Sequence, residues 1–199
     1  CYDRARLLIV DNGSHDASTE YVRSLSRGSD KVACILNAEN RYHGPAMHQG
    51  IAACKTPFVF LLDSDCIVLR RGFLAQMLDL FDCPQAYAVG DVTRMDRYGF
   101  PVMSPRRTYV YYAQPYAMLL DRRKYLELPP FVHHGSPCLE NMRGAELAGY
   151  SVRDYHVECF IQHKGRGTCS RYGYGLTPWI HVQKLLSKLG VFSRGCRRG

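Results

Sequence analysis

Phe58-Val-Phe-Leu-Leu62 is an apolar run without a polar break, and it leads directly into Asp63-Ser-Asp65. A strand with one wet face alternates apolar and polar residues, whereas continuous apolarity suits a strand covered on both faces. Such strands belong to parallel sheets sandwiched by helices, so this segment alone argues for an α/β chain. The flanking sequence agrees. Arg6 to Val10 reads as a buried strand ended by the turn Asp11-Asn-Gly-Ser14. Asp16 is placed to cap a helix running to about Ser26, with Tyr21, Val22 and Leu25 on its apolar side. Lys31 to Leu36 predicts a strand, residues 44–54 and 72–81 predict helices, and Ala86 to Val92 predicts a further strand. That alternation points to a mostly parallel sheet with helices on both faces.

The second half is less regular. Tyr109 to Leu120 predicts one or two strands, with Pro115 restricting part of the segment to an edge or a bulge. Pro129-Pro130 interrupts the chain, and residues 137–149 read as a helix with Leu139, Met142 and Ala145 on one side and Gly149 as its stop. Val182, Leu185, Leu186 and Leu189 give a short amphipathic helix near the end. With 199 residues, 46% of them hydrophobic, one core is expected. The expected organisation is a single domain over residues 1–180 followed by a basic tail, 181–199.

The sharpest chemical signal is Asp63-Ser-Asp65. In extended backbone, residues i and i+2 project to one side, so both carboxylates would converge on a hard cation, or on a ribose and a cation. Ligands of open α/β sheets bind beyond the carboxyl ends of the strands, where Asp63, Asp65 and Asp11 are all expected. His163-Lys-Gly-Arg-Gly-Thr168 offers an imidazole beside a glycine-rich basic loop, a combination suited to a metal ion or a diphosphate. His133-His134 lacks the Cys/His spacing that would complete a zinc site and is read as loop or acceptor contact.

Taken in order, Ile9-Val-Asp-Asn-Gly-Ser14 with Asp16 and Ser18, His43-Gly-Pro-Ala46 with Gln49-Gly-Ile51, and Leu62-Asp-Ser-Asp65 resemble successive motifs of family 2 glycosyltransferases. The resemblance covers about residues 6–168. It implies the Rossmann-like GT-A fold and inverting transfer of a sugar from a nucleoside-diphosphate donor to a glycan or lipid-linked acceptor. By resemblance, Asp11 with its neighbour Asn12 contacts the donor base, Asp63 lies near the ribose, and Asp65 binds a divalent Mg²⁺ or Mn²⁺, with His163 as a second ligand. Arg41, His43 and Gly44, at the start of a helix, are expected at the diphosphate.

Two departures stand out. Many relatives carry Glu-Asp where this chain has Pro137-Cys138, so the general base falls to Glu140, the nearest acid, or to Asp91 at the end of another strand. A non-catalytic protein of the same fold that binds a nucleotide sugar or glycan is the alternative reading. Relatives also begin with a further strand and helix before the segment matching Arg6 to Val10, so the sheet is expected to be truncated at its N-terminal side.

Lys and Arg outnumber Asp and Glu by 26 to 18, a formal net charge of +8. Lys184, Lys188, Arg194, Arg197 and Arg198 put +5 of that excess into the tail. The tail therefore docks on the domain, lies against an anionic membrane, or meets a partner. No RNP-like, zinc-finger or helix-turn-helix signature accompanies the charge, so specific nucleic-acid binding is not expected. No G-x-G-x-x-G follows a strand, which sets aside a dinucleotide-dependent dehydrogenase. Nine scattered cysteines without a C-x-x-C suit reduced thiols. With no apolar leader at Cys1, a cytoplasmic protein is expected, peripheral at the inner membrane face if the tail lies on lipid.

Overall fold

The computed structural model describes residues 5–103, 108–132 and 135–165. The basic tail, His133, His134 and Arg166 lie outside the described residues. In chain order the elements are β1 (Leu7–Asp11), α1 (Ser18–Arg27), β2 (Val32–Leu36), α2 (His43–Ala53), β3 (Phe58–Leu62), β4 (Cys66–Val68), α3 (Phe73–Asp79) and β5 (Ala86–Met95). They continue with β6 (Val110–Asp121), α4 (Arg122–Leu126), α5 (Leu139–Leu147), β7 (Ser151–Asp154), a 3-10 turn (Val157–Cys159) and β8 (Ile161–His163). Among the described residues no helix is long and apolar enough to cross a membrane.

The main sheet has the order β3-β6-β5-β7. β6 runs antiparallel to both β3 and β5, and β7 is parallel to β5. Three of the four strands therefore point one way and β6 alone is reversed. β1 and β2 form a separate parallel ladder, and β4 and β8 a short antiparallel one.

Both faces of the main sheet are buried, as the apolar run at β3 requires. Along β6, Met118 and Leu120 enter one cluster with Ile51 of α2, Tyr125 of α4 and Met142 of α5. Ala117 and Leu119 enter another with Phe73 and Met77 of α3 and with Val157 and Ile161. The period of two along the strand thus feeds two cores with one segment. Each fully buried Leu, Met or Ile stabilises the fold by about 1.5–3 kcal/mol. Helix α2 ties β1 to this body: Ile51 packs with Val59, while a Cβ at Gly50 would stand 3.2 Å from Val10 Cγ2.

The sequence expectations differ from the structure in identifiable ways. β6 is a central strand, not an edge, and it tolerates Pro115 because residues 114–117 have no register partner in β5. A ladder donor is not missed where the ladder is broken. The N-cap of α1 is Ala17; Asp16 acts one residue earlier, its carboxylate accepting the Ser18 N–H at 2.9 Å. Strand β5 runs on to Met95, so Asp91 sits inside it, between the shifted registers of Gly90 and Val92.

One buried polar link fixes α5 against the sheet. The Tyr87 hydroxyl donates to Asn141 Oδ1 at 2.6 Å, and Asn141 Nδ2 donates to the Pro129 carbonyl at 2.7 Å. Both side chains are fully buried. Asn141→Ala orphans two polar groups at once and is expected to cost about 2–4 kcal/mol. Thermal unfolding should show a fall in Tm of roughly 5–15 °C for a chain of this size; an unchanged Tm would refute the link.

Candidate active site

The carboxyl end of β3 is where the acids collect. The Asp63 N–H donates to the Tyr116 carbonyl at 2.9 Å, and the Cys66 N–H donates to the Asp63 carbonyl at 3.1 Å, closing a β-turn over residues 63–66. The triplet is therefore turned rather than extended, and its carboxylates take different neighbours. Asp63 Oδ1 lies 3.1 Å from His43 Nε2, at the start of α2. Asp65 Oδ1 lies 3.2 Å from His163 Nε2, at the end of β8. His43 thus reaches Asp63, the acid expected near a ribose, and Asp65 and His163, both expected as metal ligands, meet.

The β4–β8 ladder brings His163 there. Cys66 pairs with His163 in that register, and the Lys164 N–H donates to the Asp65 carbonyl at 2.9 Å. The Tyr116 ring stacks on the His163 ring, centroids 4.9 Å apart and planes 15° from parallel, which fixes the imidazole orientation. Ligand atoms of Asp65, Cys66 and His163 lie within 4.8 Å of one another. The carboxylate oxygen suits Mn²⁺ or Mg²⁺, and the imidazole nitrogen adds a donor that Mn²⁺ takes more readily than Mg²⁺, so the residues present fit a divalent ion, Mn²⁺ better than Mg²⁺. Burial first, then the Asp63 and Asp65 charges, push the Cys66 thiol up to about 11.

Beside this turn lies a second loop cluster built from β1. Asp11 is buried, and its carboxylate accepts the Ser14 hydroxyl at 2.5 Å, the Ser14 N–H at 3.3 Å and the Thr19 hydroxyl at 3.3 Å. It holds the β1–α1 turn. Gly13 has φ +81°, and a Cβ there would stand 2.6 Å from the Glu39 carbonyl carbon, so the two loops touch only because that position is glycine. Asn12 Oδ1 accepts the Arg41 N–H at 3.0 Å, and Asn12 Nδ2 donates to Asn40 Oδ1 at 2.9 Å and to the Tyr42 carbonyl at 3.3 Å. These bonds pin Tyr42 at φ 68°, ψ 166°, the one positive-φ non-glycine among the described residues. Backbone in that region costs about 1–3 kcal/mol and marks sites where geometry is over-determined. It aims the first turn of α2, with His43 and buried Gly44, at Asp63.

Asp91 and Glu140 occupy different settings. Asp91 is half-buried at the β5 irregularity, a device that re-aims a side chain, and its Oδ2 accepts the Tyr116 hydroxyl at 3.3 Å. Tyr116 therefore joins Asp91 to His163 and the Asp65 turn. Burial, then the Glu158 charge, hold the Asp91 carboxyl above its usual range; the Tyr116 hydrogen bond opposes them. Glu140 lies in the first turn of α5, half exposed, 3.9 Å from Arg143. Cys138, where relatives carry an acid, is fully buried, and burial raises its thiol, which also feels Asp63.

Sequence reasoning missed Tyr116, the strained Tyr42 and the place of Cys66 beside the acids. Cys66 directly follows the triplet and was available to adjacency. Tyr116 carried no signal within an aromatic-rich segment.

The profile of glycosyl transferase family 2 matches residues 1–142, more than half of the chain, and the protein belongs to that family. No curated protein sequence gives a match. Among solved structures it is similar to the mannosyltransferase PcManGT from Pyrobaculum calidifontis in complex with GDP-Man and Mn²⁺, at TM-score 0.58 and 16% identity, covering 78% of this chain and 46% of that one. It is also similar to GalNAc-T7 with UDP, GalNAc and Mn²⁺, at TM-score 0.59 and 13% identity, covering 75% and 36%. A third is glucosyl-3-phosphoglycerate synthase from Mycobacterium tuberculosis in complex with phosphoglyceric acid, at TM-score 0.55 and 16% identity, covering 93% and 69%. The shared feature is the GT-A fold, and the chain spans less than half the length of the first two.

Proposed function

We propose that this chain carries the donor site of an inverting, divalent-metal-dependent glycosyltransferase that moves a sugar from a nucleoside diphosphate to an acceptor hydroxyl on a glycan or lipid-linked sugar. The observation that carries the reading is the meeting of Asp65 and His163 at the end of β3, 3.2 Å apart, in a family 2 chain. That two similar transferases hold Mn²⁺ beside a nucleotide or nucleotide sugar supports it. Mn²⁺ or Mg²⁺, when bound, supplies Lewis-acid neutralisation of charge on the departing diphosphate.

The chain's own residues do the rest. Asp65 and His163 would hold the ion, and Tyr116, stacked on the His163 ring, would keep the imidazole oriented for it. Asp63, steadied by His43, accepts from the ribose hydroxyls. Asp11 and Asn12 form the wall against which the base lies, and Arg41 with the α2 N-terminus at Gly44 faces the diphosphate. Asp91 takes the proton from the attacking hydroxyl. Its sheltered, raised carboxyl is better matched to that task than exposed Glu140. Accordingly, Glu140→Gln should leave turnover within about fivefold of the parent, because general-base loss costs far more.

The test is release of nucleoside diphosphate from UDP-, GDP- and dTDP-sugars with Mn²⁺, with and without a chelator. Release from one nucleotide class, abolished by chelation, is expected. A folded chain that binds a nucleotide sugar but releases nothing with any acceptor supplied would instead be the non-catalytic binder, a reading that buried Cys138 in place of an acid favours.

A further inference from the structure

The transfer reading uses an oxygen of Asp65 and a nitrogen of His163 and leaves the sulfur beside them unexplained. Cys66 stands opposite His163 in the antiparallel β4–β8 register, so the two side chains leave the same face of the ladder. Its thiol belongs to a three-donor cluster whose ligand atoms lie within 4.8 Å of one another. We propose that Asp65, Cys66 and His163 form a thiolate-containing Zn²⁺ site that overlaps the Mn²⁺ or Mg²⁺ position and competes with it. The location of the site rests on the metal assignment made above; the thiolate does not.

Mg²⁺ and Mn²⁺ prefer oxygen and six-fold geometry and gain little from sulfur, whereas Zn²⁺ readily takes a mixed carboxylate, imidazole and thiolate set in tetrahedral geometry. Ligand atoms around a tetrahedral Zn²⁺ stand roughly 3.6 Å apart, given Zn–O and Zn–S distances of about 2.1 and 2.3 Å. Asp65 Oδ1 and His163 Nε2 are already at 3.2 Å, and Cys66 Sγ stands no farther than 4.8 Å from either ligand atom, so it would close by at most roughly 1.2 Å to complete the set. The thiol gives its proton to solvent as sulfur donates an electron pair to the metal, with no change of oxidation state. The Tyr116 carbonyl, which now accepts the S–H at 3.5 Å, keeps the Asp63 amide at 2.9 Å and is not orphaned.

Three protein ligands would leave Zn²⁺ one open position, against several on a six-coordinate ion held by two. Zn²⁺ in this mode is therefore a poor clamp for a diphosphate. It should act as an inhibitor of metal-dependent donor binding rather than as a substitute for Mn²⁺.

Co²⁺ serves as the spectroscopic probe, titrated into the full chain, with Zn²⁺ back-titration and with Mn²⁺ and UDP or GDP binding measured in parallel. A thiolate-to-cobalt charge-transfer band is expected, bleached by one equivalent of Zn²⁺, absent in Cys66→Ser and retained in Cys159→Ala, whose exposed thiol lies outside the cluster. Cys66→Ser should also lower Zn²⁺ affinity at least about tenfold more than Mn²⁺ affinity, so a general loss of structure cannot mimic the result. Co²⁺ binding without a thiolate band, or a band that survives in Cys66→Ser, overturns the proposal. The band without Mn²⁺-dependent nucleotide binding would leave the zinc site standing and sink the donor-site reading. Mn²⁺-dependent nucleotide binding without the band would do the reverse.

Discussion

Asp65→Ala is expected to weaken Mn²⁺ binding by at least about 100-fold and to abolish metal-dependent binding of nucleoside diphosphate. The size follows from how few ligands the protein supplies. His163 Nε2 at 3.2 Å is the carboxylate's neighbour, and among the described residues no other acid lies in the three-donor cluster. Alanine leaves one neutral nitrogen to hold a hard cation, which favours anionic oxygen. Asp65→Asn keeps the shape and one carbonyl oxygen, so its loss should fall between the parent and alanine. Calorimetric titration of Mn²⁺, with thermal unfolding to show that each variant is folded, checks the series. A loss of less than about threefold in Asp65→Ala would remove this residue from the metal site.

Asp91→Asn is expected to lower turnover by about 10²- to 10⁴-fold while leaving donor affinity nearly unchanged. The same substitution should make the protein more stable at neutral pH. Asp91 has its carboxyl raised by burial and by Glu158, so the folded state binds its proton more tightly than the unfolded chain does. The stability this supplies is complete below the unfolded value, about 3.9, and is lost as pH rises through the raised folded value. Above that window the folded protein carries a disfavoured charge that asparagine does not. Tm of Asp91→Asn should thus exceed the parent's at pH 7, with the difference disappearing in acid. Loss of activity with a gain in stability is the signature of a group placed for chemistry rather than for the fold. Unchanged turnover would return the base to Glu140.

The parts of the molecule that the sequence made legible are those whose signal is local. Phe58 to Leu62 is unbroken and apolar, and it is the strand with the predicted boundaries, buried from both sides by separate clusters. Asp65 and His163 could be paired as expected metal ligands through the family resemblance, but their observed contact depends on β4 and β8, three-residue strands too short to show any periodicity. The turned geometry of Asp63-Ser-Asp65 was hidden for a related reason: the Tyr116 carbonyl that takes the Asp63 amide comes from a strand pairing made in three dimensions.

The same limit applies to the proposed general base. Read along the chain, Glu140 at a helix start is as good an acid as Asp91, since exposure and neighbours are tertiary properties. Burial, the register irregularity at Gly90 and Val92 and the Tyr116 hydroxyl separate them. Pro115 shows the converse. A proline inside an apolar segment argues against a central strand, yet here it falls where β6 has already lost register with β5.

The proposed nucleotide site needs a divalent ion held by Asp65 and His163. Calorimetric titration of UDP, GDP and dTDP into the folded chain, with Mn²⁺ and again with chelator, tests it most directly. Binding of one nucleotide that vanishes with chelator and with Asp65→Ala is expected. Binding of the same strength in all three conditions would contradict it.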